Sequence, residues 1–211
     1  NQSGLTKLGI MTNQVWRDDP KRLTFVLSRY KFVSKMLDGC TDVLELGCGD
    51  AWASRIVRQT VRKLTVSDFD PIFVDLIKDG EEEPYPIEAI VHDMVVSPTK
   101  DAYDGIYAID VLEHVALSDE DKFLSNIVSS LKHSGTVILG IPSLESQFYA
   151  SPASKEGHVN CKTGNDFRDC LARYFHNVFI FSMNDEVVHT GFDKMAHYLF
   201  GMCCSPKASA D

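Results

Sequence analysis

The chain of 211 residues is 44% hydrophobic and 24% charged, a balance that fits one folded domain and excludes a disordered or collagen-like chain. With 21 Lys and Arg against 30 Asp and Glu the formal net charge is -9, and no dense Lys/Arg cluster occurs, which argues against a nucleic-acid partner. No apolar run reaches the roughly 18 residues of a membrane span, no leader is visible at 1–10, and six cysteines without Cys-x-x-Cys spacing read as reduced thiols, so a cytoplasmic setting is expected.

Residues 1–15 are polar and weakly patterned and read as an arm or lid. Asp18-Asp19-Pro20 opens a helix whose apolar face is Leu23, Val26, Leu27, Tyr30, Val33 and Leu37, ending at Gly39. This gives an N-terminal unit, 1–40, that covers the active site, ahead of a single domain over 41–211. Strand and helix then alternate. Strands are expected at 42–46, 64–67, 87–91, 103–109, 136–141, 177–183 and 197–202. Helices are expected at 53–62, 71–78, 118–132 and 163–174, with a solvated charged loop over 79–84. The pattern predicts an α/β fold: a doubly wound, seven-stranded, mostly parallel sheet with an antiparallel C-terminal strand. Ligands of such sheets bind at the carboxyl ends of the strands, near the switch in strand order.

The segment Val43-Leu44-Glu45-Leu46-Gly47-Cys48-Gly49-Asp50-Ala51-Trp52 is a strand running into a glycine turn. A dinucleotide turn needs a third small residue where Trp52 stands, and Asp50 would repel a pyrophosphate, so an NAD site is disfavoured. No Gly-Lys-Ser/Thr is present for a P-loop. An adenosine ligand that carries positive charge and no phosphate fits better. Glu45 suits its charged end, and Gly47 and Gly49 let it approach the backbone. Asp68, which follows Gly49 by 19 residues, can accept from ribose hydroxyls. Asp93 can accept from an adenine amino group, with Phe69 or Met94 covering the ring.

These segments resemble the class I S-adenosylmethionine-dependent methyltransferases. The resemblance rests on VLELGCGDA, LTVSDFDP, VHDMV, YDGIYAIDVLEHV and LKHSGTVILGIP, over roughly 42–142, with a matching strand pair at the C-terminus. It implies S-adenosylmethionine as cofactor, held by Glu45, Gly47, Cys48, Gly49, Asp68, Phe69, Asp93, Met94 and Asp110. The chain departs from the pattern at Ala51, where a third glycine is common; alanine fits there if its torsion stays in an ordinary region. The activity implied is transfer of a methyl group to a small-molecule acceptor, as O-methylation of a sugar, quinone or similar metabolite. A non-catalytic scaffold or sensor that binds S-adenosylmethionine is the alternative, and the oligomeric state is left open.

The acceptor is expected beyond the fourth strand. Asp110, Glu113 and His114 have i, i+3, i+4 spacing, and Asp, Glu and His together suit a divalent cation. That acid-x-x-Glu-His is similar to the metal-dependent O-methyltransferases of quinone biosynthesis and small-RNA end methylation, with His158 or His189 as a further ligand. The same VLEH also occurs in metal-free relatives, where it holds a loop. His114 and His189 are the candidates for general base. Pro142–Glu156, with Phe148 and Tyr149, reads as an acceptor-site lid, and Arg29, on a helix that faces this region in similar proteins, as a partner for the methionine carboxylate or the acceptor.

Overall fold

The computed structural model describes residues 7–79 and 85–207. Helices α1 (Ile10–Asp18) and α2 (Lys21–Met36) precede β1 (Asp42–Leu46). They are followed by α3 (Ser54–Arg58), β2 (Lys63–Asp68), α4 (Pro71–Lys78), β3 (Glu88–Val91) and β4 (Tyr103–Ile109). The second half holds α5 (Glu120–Ser129), β5 (Leu131–Pro142), α6 (Pro152–Gly157), α7 (Gly164–Ala172), β6 (Phe175–Asn184), β7 (Val187–His189) and β8 (Tyr198–Pro206). Of the charged loop expected at 79–84, only Asp79 lies within the described residues, as do only 7–15 of the N-terminal arm.

One sheet joins all eight strands in the order β3-β2-β1-β4-β5-β8-β6-β7. The first five are parallel, and β8 runs antiparallel to both β5 and β6. The expected seven strands are thus present, and the additional one, β7, folds back on β6 through a turn in which Asp185 is left-handed. The order reverses between β1 and β4, the switch point where a crevice opens.

Period-2 alternation divides the core between the two faces. Leu44 and Leu46 of β1, Ile106 and Ala108 of β4, and Val137, Leu139 and Ile141 of β5 pack with Phe123, Leu124 and Ile127 of α5 and Phe167 and Leu171 of α7. Val43, Tyr107 and Ile138 face the other way, onto Tyr30, Val33 and Leu37 from α2 and its end and Val57 of α3. Glu45 shares that second face, so its carboxylate is directed beneath α2.

Several boundaries differ from the sequence reading, among them the strand expected at 136–141, which runs Leu131–Pro142, and the one expected at 197–202, which runs Tyr198–Pro206. The helix expected to reach Lys132 ends at Ser129. The Ser130 hydroxyl bonds back to Asn126 O at 2.7 Å and accepts from Thr99 N at 2.9 Å, while Leu131 already pairs with Tyr103 in the sheet. Tertiary bonds there outweigh helix propensity. The helix expected over 53–62 is only Ser54–Arg58, and Pro142–Glu156 contains a 3₁₀ turn, Glu145–Tyr149, and most of α6.

Candidate functional site

The turn after β1 is built from three consecutive left-handed positions two residues apart: Gly47 at φ 65, Gly49 at φ 52 and Ala51 at φ 51. The ordinary torsion expected of Ala51 is therefore not found. An alanine in this region carries a strain of roughly 1–2 kcal/mol. Asp50, which would oppose a phosphate, instead holds the N-terminal helix. Its two carboxylate oxygens accept from Thr12 N at 2.7 Å and Thr12 Oγ1 at 2.9 Å. A Cβ on Gly49 would lie 2.6 Å from Met11 Sδ, so α1 closes directly over the glycine turn.

Beneath α1 and α2 lies a cleft of about 340 Å³, bounded by Gly47–Asp50 on one side and Asp110, Glu113 and His114 on the other. Arg29 and Tyr30 of α2 form part of its wall. Cys48 lines it as a neutral thiol, because burial pushes its pKa up. Asp68 is buried at the end of β2, where its carboxylate accepts from Gly49 N and Asp70 N, both at 3.0 Å. Those bonds tie the β2 end to the glycine turn and leave further lone pairs for a ligand. Phe69 and Asp93 are exposed at the ends of β2 and β3.

The structure corrects two of the expected cofactor contacts. Glu45 is 1% exposed, and its oxygens accept from the hydroxyls of Tyr30 and Tyr107, each at 2.6 Å. Sealed behind the two tyrosines, it reaches the cleft only through Tyr30. Burial, only partly offset by the tyrosine hydroxyls, pushes its carboxyl up to about 7. Met94 packs in the core against the α5 face rather than covering a ring, and its carbonyl accepts from Asn126.

On the opposite wall Asp110 is left-handed at φ 59, and its backbone N donates to Gly140 O at 3.1 Å and Tyr198 Oη at 3.2 Å. Its carboxylate pairs with Arg29, whose guanidinium stacks 3.8 Å above the Tyr198 ring. Arg29 thus finds its carboxylate within the chain. Glu113, on the 3₁₀ turn Leu112–His114, is fully buried, and neither carboxyl oxygen has a hydrogen-bond partner. Burial first, and Asp110 second, push its pKa well up.

His114 faces the carbonyl of Gly157 through Nδ1 at 2.9 Å, and His158 faces Gln147 Oε1 through Nδ1 at 2.9 Å. The rings meet edge to face, 5.1 Å apart. Glu113, His114 and His158 offer ligand atoms that all lie within 4.8 Å of one another, a group able to hold a metal ion; Asp110 is not among them. His189 is corrected as well. It lies in the β7 hairpin, outside the cleft lining, with Nε2 on Asn184 Oδ1 and Nδ1 accepting from Gly191 N. Both nitrogens are occupied in closing the hairpin.

A second cavity of about 620 Å³ lies under the 142–158 segment and shares Pro142, Ser154 and His158 with the cleft. Glu145, Tyr149 and Lys194 line it. Gln147 and Glu145 escaped the sequence reading because no motif carries them; the only signal was the polar, aromatic character of their loop. Asn160, also missed, fixes the His158 segment: its N donates to Glu113 O at 3.0 Å and its Nδ2 to Glu120 Oε2 at 2.9 Å.

A family model described as a methyltransferase domain matches residues 15–175. The chain belongs to this methyltransferase family. It is a class I S-adenosylmethionine-dependent methyltransferase. Among solved structures the methyltransferase resembles the N-methyltransferase NodS from Bradyrhizobium japonicum WM9 in complex with S-adenosyl-L-homocysteine. The identity is 17%, the TM-score 0.64, and 91% of each chain is covered. It also resembles a TehB-like methyltransferase from Corynebacterium glutamicum, with 17% identity, a TM-score of 0.68 and coverage of 92% of this chain and 95% of that one. A third is the plantazolicin methyltransferase BpumL, with 13% identity, a TM-score of 0.68 and 94% and 90% covered. No curated protein sequence matches it. Among the described residues no helix is long and apolar enough to cross a membrane.

Proposed function

We propose that this methyltransferase methylates a hydroxyl oxygen of a small-molecule acceptor, such as a sugar, a quinone or a similar metabolite. The observation that carries this reading is the pair of adjoining cavities, one at the glycine turn and one under the 142–158 segment, meeting at His158. S-adenosylmethionine supplies an activated methyl group on a sulfonium, so the chain has only to position the acceptor and receive its proton. Gly47 and Gly49 let the adenosyl ligand approach the backbone, and Asp68 takes its ribose hydroxyls on the lone pairs that Gly49 and Asp70 leave free. Phe69 and Asp93 serve the adenine side. His114 and His158 present Nε2 at the junction with the acceptor. Helix α1 closes the cofactor side through Met11 and Thr12.

Titration calorimetry with S-adenosylhomocysteine, with NAD as control, tests the cofactor side. Micromolar binding, about -8 kcal/mol, with no heat from NAD is expected; no S-adenosylhomocysteine heat overturns the assignment. A panel of hydroxylated and amino acceptors, read by mass spectrometry, tests the acceptor side. A product methylated at nitrogen alone overturns the O-methyl reading.

A further inference from the structure

We propose that Glu145 selects the acceptor: the cavity under the 142–158 segment takes a hydroxylated metabolite that carries a protonated amine, and the Glu145 carboxylate receives that amine. The inference rests on the reading above for the use of this cavity as the acceptor site, and it names the acceptor's chemical class.

The carboxylate is left over where its neighbours are not. Glu145 opens the 3₁₀ turn Glu145–Tyr149 and lines the cavity. Every other polar side chain from Ser143 to Gln147 is bonded within the chain. Ser143 Oγ donates to Ala196 O at 2.6 Å and accepts from Ser146 N at 3.1 Å. Ser146 Oγ donates to Ser143 O at 2.8 Å. Gln147 Nε2 donates to Ser143 O at 3.3 Å, and its Oε1 meets His158 Nδ1 at 2.9 Å. The Glu145 carboxylate has no partner among the described residues, and its Oε2 is also shielded from solvent. A carboxylate that has lost water at one oxygen and gained no donor is destabilised until a cation comes to it. The bonds around it hold the turn, so its place is set before a ligand arrives. The same turn carries Gln147 and through it His158, which is shared with the cleft. One braced unit therefore receives the amine at Glu145 and presents the hydroxyl at His158.

Charge decides what Glu145 takes. The lining residues include one lysine, Lys194, and no arginine. Lys194 lies on a separate turn, Asp193–Met195, and makes no ion pair among the described residues. His158 is held toward its neutral form, because burial lowers its pKa. His197 is exposed and has Asp185 at 4.0 Å. The negative charge of Glu145 is thus not answered from within the chain. Tyr149, 86% exposed, lines the same cavity and offers an open ring face to a cation. The net charge of -9 draws cations toward the protein and repels anions. A neutral sugar or a quinone brings no charge to the carboxylate, whereas an amino sugar or another amino alcohol does.

The test uses the full chain saturated with S-adenosylhomocysteine and ligand-observed NMR titrations of matched sets that share one skeleton. One set is glucosamine, glucose and glucuronate; another is tyramine, tyrosol and para-hydroxyphenylacetate. The amine of each set is expected to bind about 10-fold or more tightly than its neutral partner. Glu145→Gln should weaken the amines by about 10- to 100-fold and leave the neutral members unchanged. Glu145→Lys should turn the preference toward the carboxylates. Amines that bind no better than their neutral partners, including no binding by any member, overturn the proposal. So does an amine preference that survives Glu145→Gln, or a carboxylate preference in wild type, which would assign selection to Lys194. Unchanged calorimetric affinity for S-adenosylhomocysteine in the variants shows that a lost preference is not a lost fold. Mass spectrometry after incubation of the best amine with S-adenosylmethionine separates the two readings. Methyl transfer to nitrogen alone, or none, fails the O-methyl reading and leaves amine recognition by Glu145 standing.

Discussion

Replacing Glu45 by Gln should reverse one part of the pH dependence of stability. The Glu45 carboxyl is raised from an ordinary 4.5 to about 7, chiefly by burial. Between those values the folded chain keeps a proton that the unfolded chain has released. Glu45 therefore stabilises fully below the unfolded value, and its contribution is lost as pH rises through 7. A shift of 2.5 units at 1.36 kcal/mol each is about 3 kcal/mol in all, of which about 2.5 kcal/mol falls between pH 5 and pH 8. Glu45→Gln has no proton to lose. Its amide oxygen still accepts from one tyrosine hydroxyl, and its N–H can donate to the other tyrosine oxygen. Urea unfolding of both proteins at several pH values cancels every other titrating group in the difference. Wild type should lose about 2.5 kcal/mol relative to the variant on going from pH 5 to pH 8. A difference that is flat, or that moves in favour of wild type at high pH, refutes the account of a carboxyl protonated by burial.

Three further outcomes are expected. Lys162→Met removes the buried partner of Glu120, bonded at 2.6 Å, and should cost about 3 kcal/mol; an unchanged melting temperature would show that Asn160, Cys170 and Arg173 hold Glu120 without it. Asp68→Ala should weaken S-adenosylhomocysteine by roughly 10- to 150-fold, the equivalent of about 1.5–3 kcal/mol, and unchanged calorimetric affinity would remove the ribose role. Gly49→Ala places a methyl 2.6 Å from Met11 Sδ at φ 52. It should cost about 1–2 kcal/mol in torsional strain and displace α1 from the turn; adding Met11→Ala should recover cofactor affinity but not the stability lost, and recovery of both would mean the torsion carries no strain.

What was legible in the sequence follows from how local each signal is. Alternation at 42–46, 103–109 and 136–141 placed the central strands, and the strands carry their own face assignment. The glycine turn was legible because φ near +50 is a local demand that glycine meets. Ala51 meets the same demand without any sign of it in its identity. The partner of Glu45 was not legible, since Tyr30 and Tyr107 lie 15 and 62 residues away and meet it only once α2 packs on β1 and β4. Arg29 reads from the sequence as a partner for the methionine carboxylate of the cofactor or for the acceptor, and its partner in the structure is instead a carboxylate of the chain itself. That the carboxylate is Asp110, 81 residues on, is a fact of packing.

The same logic explains why the proposed acceptor side was harder to read than the proposed cofactor side. The cofactor side hangs on the ends of β1, β2 and β3, which alternation locates within a residue or two. The acceptor side hangs on the 142–160 segment, whose backbone follows no period. Its position is fixed by long-range bonds instead: Ser143 to Ala196, Leu144 N to Lys162 O, Asn160 to Glu113 and Glu120. The buried Lys162–Glu120 pair anchors the far end of that segment to the start of α5. A charge pair so costly to bury is retained where geometry must be held, and here it fixes the loop that brings His158 to within ring contact of His114. The segment that lines the proposed acceptor cavity is therefore positioned by the sheet only at its two ends, and the charge network beside α5 holds its far end.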